Sequence, residues 1–315
     1  MLRGLAFSVL VLAAGGLEAT AEPDCGKLTT RAGQVGYCIR ASDPTKNPDI
    51  LYYLHGAFPE SIVGAEKVFA GGDPGLVARW RELRRAPPTV VSISWGPRWA
   101  LKDERLEAFE REIIPHIEAR FPVAHHRRRM ILGTSMGGLN AFIAWTQLPH
   151  LFDAAAFQCP AFSRFSPVSK RLQRIRQARK TGGDLGSLRL MAEIFTPLFK
   201  THGEWLRYQP QQVMKTLAGR KLPPVYLIWN TQDQFGFNGA PEIGAAGHSI
   251  IYEPVDGAHC IGVSSAGLAL FLSDRPLNRA ASLQIPEKSG LTPALKFWPA
   301  EKVRAYGPPG NDVHH

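Results

Sequence analysis

The chain has 315 residues, 44% hydrophobic and 20% charged, an ordinary globular composition that can bury a large core without a metal or disulfide to hold it. Its formal net charge is +10, which favours anionic surfaces or substrates without specifying any. The basic residues are scattered and no recognition motif accompanies them, so nucleic-acid binding is not expected.

At the N-terminus Arg3 precedes an apolar stretch, 5–17, broken only by Ser8, Gly15 and Gly16, and Ala19-Thr20-Ala21 follows as an A-x-A site. This pattern predicts a signal peptide over 1–21 and a mature protein that is periplasmic or secreted. The apolar run is too short to span a bilayer comfortably and nothing later is longer, so stable membrane insertion is not expected. Cys25, Cys38, Cys159 and Cys260 remain after that cut. An even count in an oxidising compartment points to two disulfides, with three connectivities open.

Residues 27–40 read as two short antiparallel strands with Gly33 or Gly36 at the turn. Residues 50–54 form the next strand and run into His55-Gly56, and a helix is expected over 76–85. A buried strand follows at 88–94, centred on the β-branched Val91 and Ile93. Leu106, Phe109, Ile113 and Ile117 then recur at helical spacing. Pro115 lies within that helix and removes one backbone hydrogen bond, so a bend is expected there. Further strands are expected at 130–132, 152–158, 225–229 and 249–254, with helices at 137–147 and 264–272.

Strands alternating with helices imply a mainly parallel sheet covered on both faces. One block, 162–222, breaks the alternation and is helical in character. Ser166-Pro167 reads as an N-cap followed by proline at the first helical position, and Thr201-x-x-Glu204 as a capping box. Val168, Leu172 and Ile175 make a stripe among Lys170, Arg171, Arg174 and Arg176. The block is expected to cap the sheet's carboxyl edge, with a peripheral insertion as the alternative.

The central chemical signal is Gly133-Thr134-Ser135-Met136-Gly137, placed after a short apolar strand and at the opening of a helix. That is the setting of a nucleophile elbow, whose tight turn lifts a serine hydroxyl toward the positive end of the new helix. A serine hydroxyl needs a base, and the chain order of such sites is Ser, then Asp or Glu, then His. His259, just after the last strand, is the best-placed base, and Asp233, after strand 225–229, the expected acid; Asp256 is its rival. The backbone N–H groups of Met136 and Ala57 are the expected oxyanion donors. His55 is expected to shape the loop that carries Ala57.

The segments Tyr53-Leu54-His55-Gly56, Glu112-Ile113-Ile114-Pro115-His116-Ile117, Gly133-Thr134-Ser135-Met136-Gly137-Gly138 and Gly257-Ala258-His259 resemble the esterase D-type branch of the α/β-hydrolases. That branch is similar to feruloyl and acetylxylan esterases, polyhydroxybutyrate depolymerases and mycolyltransferases. The resemblance covers about residues 50–272 and implies an α/β-hydrolase fold with Ser135 as nucleophile and His259 as base. Domain organisation is then a hydrolase domain over 22–274, including the cap, and a C-terminal tail over 275–315. The expected activity is that of a serine esterase on a small-molecule or polymeric ester, needing no metal or organic cofactor. Acyl transfer, peptide hydrolysis and a silent envelope-binding protein are the alternatives. Position suggests the pairs Cys25–Cys38, flanking the hairpin, and Cys159–Cys260, at the carboxyl edge beside His259. Phe58, Trp95, Trp99 and Phe162 are the candidate walls of an acyl or aryl pocket.

Overall fold

The computed structural model of the chain describes residues 22–57, 64–70, 72–121, 128–163, 166–170, 172–173, 175–176, 185–233, 240–273 and 296–297. The expected signal segment, Phe58 and most of the expected tail lie outside them.

The strands are β1 (Asp24–Thr30), β2 (Gly33–Arg40), β3 (Ile50–Leu54), β4 (Thr89–Ser94), β5 (Arg129–Thr134), β6 (Ala154–Gln158), β7 (Val225–Asn230), β8 (Ile250–Val255) and β9 (Lys296–Phe297). They form one sheet in the order β1-β2-β4-β3-β5-β6-β7-β8-β9. The strands from β4 to β8 run parallel, whereas β1, β2 and β9 join antiparallel at the two edges. Strand order reverses between β3 and β5, because the chain moves outward to β4 and then returns. In open α/β sheets that reversal opens a crevice beyond the carboxyl ends of the strands, and sites form there.

Both faces of the parallel strands are buried, and alternate residues enter opposite cores. Tyr52 and Leu54 of β3, Ile131 of β5 and Leu227 of β7 face one side, packed with helix Met136–Gln147. Leu51, Tyr53, Leu132 and Tyr226 face the other, beneath helices Pro74–Glu82 and Ala266–Ser273. Trp80 joins those two helices by donating its indole N–H to the carbonyl of Ala269 at 2.9 Å. Among the described residues no helix is long and apolar enough to cross a membrane.

The helix that carries Pro115 is interrupted just before the proline. Residues Phe109–Ile113 widen into a π-helical turn between helices Glu104–Ala108 and Ile114–Glu118, and the N–H of Ile114 reaches back to the carbonyl of Phe109. The extra residue in the turn absorbs the register change just before the proline, so the helix continues.

In the 162–222 block the described residues form helices Leu185–Phe195, His202–Leu206 and Pro210–Leu217. Phe195, Phe199 and Trp205 bury into the same core as the Met136–Gln147 helix. Arg98 in the loop after β4 donates to the carbonyl of Glu193, and Lys102 pairs with Glu204 at 2.8 Å, fastening the block beside the sheet. Thr201 caps its helix by accepting the N–H of Glu204 at 3.1 Å, while the Glu204 carboxylate accepts the N–H of Lys200. Ser166-Pro167 begins a turn and no helix starts there: the Ser166 hydroxyl accepts the N–H of Val168, two residues on. Such a short-range bond competes with helix nucleation.

Candidate active site

The hinge of the site is the turn between β5 and the helix Met136–Gln147. Ser135 sits there with φ 55° and ψ −114°, a region that side-chain-bearing residues rarely occupy. Its backbone is held on both sides: its N–H donates to the carbonyl of Gln158 at 3.0 Å and its carbonyl accepts the N–H of Ala161 at 2.9 Å. The glycines around it are required by close approach. A methyl on Gly133 would overlap the carbonyl of Gly137, and one on Gly137 would overlap the carbonyl of Leu54 at the end of β3.

The structure brings Ser135, His259 and Asp233 together from three separate loops. Ser135 Oγ lies 2.9 Å from His259 Nε2, and His259 Nδ1 lies 2.6 Å from Asp233 Oδ2. Asp233 Oδ2 is the acceptor of that second bond, which fixes the proton on Nδ1 and leaves Nε2 free to accept from the serine hydroxyl. The Asp233 side chain has no exposed surface and that of His259 is 16% exposed, so the carboxylate is shielded while the imidazole edge stays accessible. Asp256 is engaged elsewhere, accepting from the Thr231 hydroxyl at 2.9 Å.

Ala57 follows β3 on the loop beside Ser135: a Cβ on Gly56 would lie 3.4 Å from Ser135 Cβ. Met136 is the first residue of its helix, so its N–H has no intrahelical acceptor. His55 is buried and braces this loop. Trp99 donates its indole N–H to His55 Nε2 at 3.2 Å, which makes Nε2 the acceptor and Nδ1 the donor, to the carbonyl of Gly56 at 2.6 Å. In a trans peptide the C=O and the next N–H point opposite ways, so this bond turns the N–H of Ala57 away from the imidazole.

Burial pushes the His55 pKa down to about 4, against the small raising effect of the Gly56 bond. An unfolded histidine takes up its proton near pH 6.5, so the stability held by neutral His55 is present above that pH. It is lost as pH falls toward 4, by about 3 kcal/mol in all. Thermal melts at pH 7, 5.5 and 4.5 are expected to fall more steeply for the wild type than for His55→Asn. Equal slopes would assign the acid sensitivity to other groups.

Two of the expected pocket residues belong to the core. Trp99, in the loop after β4, is fully buried with its N–H taken by His55, and Phe162 is fully buried in edge-to-face contact with Phe142 at 5.0 Å. Neither has surface to offer a ligand; aromatic side chains this large supply core area first. Trp95 is partly exposed and packs on Trp99 with ring centroids 5.1 Å apart. Phe58 lies outside the described residues.

Both cysteine pairs are bonded, Cys25 to Cys38 across the register of β1 and β2, and Cys159 to Cys260 between the end of β6 and the histidine loop. The second closes a separation of 101 residues, for which chain entropy gives a stabilisation of about 4–5 kcal/mol.

Comparison with known proteins agrees with this architecture. Residues 92–235 match the family described as "Putative esterase". No curated protein matches the chain. Among solved structures, a ferulic acid esterase superposes with a TM-score of 0.55 at 17% identity, over 80% of this chain and 96% of that one. Carboxyl esterase 2 of the mycorrhizal fungus Tuber melanosporum gives 0.55 at 16% identity, over 82% and 88%. An ester hydrolase from the metagenome of Lake Arreo gives 0.56 at 17%, over 81% and 82%. The chain adopts the α/β-hydrolase fold. Its segment 92–235 is similar to that esterase family.

Proposed function

We propose that the chain is a serine carboxylic ester hydrolase working through an acyl-enzyme, with Ser135 as nucleophile, His259 as general base and Asp233 as the acid that orients it. The single observation behind this reading is the continuous hydrogen-bonded run Ser135–His259–Asp233, starting from a strained elbow. His259 Nε2 takes the hydroxyl proton as Ser135 Oγ attacks the ester carbonyl, and the Asp233 carboxylate stabilises the imidazolium that forms. The N–H groups of Met136 and Ala57 receive the developing oxyanion. His259 then protonates the leaving alcohol, and water repeats the sequence to release the acid.

The substrate is an ester, small or polymeric, that enters at the carboxyl edge beside the 162–222 block, which serves as a cap. Two disulfides support a protein that matures in an oxidising compartment, in keeping with the targeting signal read at its N-terminus.

Labelling with a fluorophosphonate followed by peptide mapping tests the assignment. The adduct is expected on Ser135, and an adduct on another residue overturns it. Asp233→Asn is expected to lower kcat on a short activated ester by about four orders of magnitude, because the amide favours the wrong tautomer of the base. Asp256→Asn should stay within a few-fold of wild type, and the reverse ranking would move the acid to Asp256.

A further inference from the structure

We infer that Asn230 is a positioning residue for the proposed reaction, holding the loop of the base and the turn of the acid in one mutual geometry. It is the last residue of β7 and is fully buried. Its carboxamide faces the histidine loop: Oδ1 accepts the N–H of Cys260 at 2.9 Å, and Nδ2 donates to the carbonyl of Ile261 at 2.7 Å. Its own carbonyl accepts the N–H of Asp233 at 3.0 Å. One residue therefore grips the residue after the base, the residue beyond that, and the acid itself.

The orientation of the amide is dictated by its partners, since a backbone N–H can only donate and a carbonyl can only accept. Of the natural side chains of this length, only asparagine presents one acceptor and one donor at neutral pH. The neighbouring bonds extend the same joint: Thr231 N–H donates to the carbonyl of Val255 at 2.9 Å and Gln232 N–H to that of Gly257 at 3.2 Å. The disulfide holds Cys260 by its side chain and Asn230 holds it by its backbone N–H. The covalent bond limits how far the loop can travel, and the carboxamide sets how the loop is turned, and with it the angle at which the imidazole meets Ser135 and Asp233.

The inference rests on the triad reading, and its test separates the two. In Asn230→Asp the ionised carboxylate opposes the carbonyl of Ile261, whereas the protonated acid restores one donor and one acceptor in the same places. Full burial at this position raises a carboxyl's pKa, so the ratio of variant to wild-type kcat on a short activated ester is expected to be highest at pH 5 and to fall about tenfold or more by pH 9, with KM changed less than threefold. Asn230→Ala, which restores neither bond, is expected to lose about 100-fold in kcat at every pH. A merely structural role lowers the fraction of folded enzyme and leaves the kcat of active-site-titrated protein unchanged. Titrated Asn230→Asp with a ratio near one from pH 5 to 9 overturns the inference, even where the alanine variant fails to fold. If Ser135→Ala stays active, the triad reading falls first; if it is inactive and the ratio stays near one, only the role of Asn230 falls.

Discussion

Ser135→Ala is expected to lower hydrolysis of a short activated ester by about 10⁴- to 10⁶-fold while leaving the melting temperature within a few degrees of wild type. The two halves of that expectation have different origins. The hydroxyl is the only group removed, and its hydrogen bond with His259 Nε2, at 2.9 Å, goes with it. The elbow itself is held by backbone bonds to Gln158 and Ala161, which alanine keeps. Alanine also carries the same Cβ, so the φ of 55° is no easier or harder to sustain. Rate measurements and a thermal melt on the same sample check both parts. Loss of activity with a large fall in melting temperature would mean that the serine is structural.

Gly137→Ala is the complementary case, with its largest effect on folding. Gly137 lies in the first turn of the helix that starts at the elbow, pressed against the carbonyls of Leu54 and His55. A methyl there overlaps backbone that cannot swing aside, because β3 is paired on both edges, to β4 and β5. The expected destabilisation is about 3–5 kcal/mol or more, enough to leave little soluble protein. Gly203 provides the control. It also sits in a helix, His202–Leu206, but nothing lies within 4 Å of the position its Cβ would take. Gly203→Ala should be neutral or stabilising by about 1 kcal/mol. Equal behaviour of the two variants in a denaturant titration would refute close approach as the reason for glycine at 137.

The difference between these two glycines also marks what a one-dimensional reading can reach. Gly133, Ser135 and Gly137 announce themselves because elbow, strand and helix are contiguous, and their constraints are local. His259 and Asp233 are accessible through chain order, since parallel βα units deliver successive loops to the same edge. Choosing between Asp233 and Asp256 needs the spatial arrangement, where Asp256 is occupied by Thr231. Trp99 and Phe162 pass for pocket walls in the sequence because aromatic composition does not reveal which side of a loop a ring takes. The indole of Trp99 is claimed by His55, 44 residues away. Asn230 gives no signal at all: an asparagine at a strand end reads as a turn former, and its partners at 260 and 261 become visible only across the gap between two loops. A disturbance at Pro115 is foreseeable, but the widened turn over Phe109–Ile113 that precedes it is visible only in the structure.

The bond between Cys159 and Cys260 has a topological consequence. Everything between those residues, the helical block and the strand that leads to Asp233 included, forms one covalent ring whose clasp lies next to His259. A protease that nicks an exposed stretch of the ring leaves the two fragments joined through the disulfide. The ring can also lengthen, shorten or change its surface over evolutionary time without dragging that clasp. Substitutions anywhere within that ring leave the covalent link beside His259 in place.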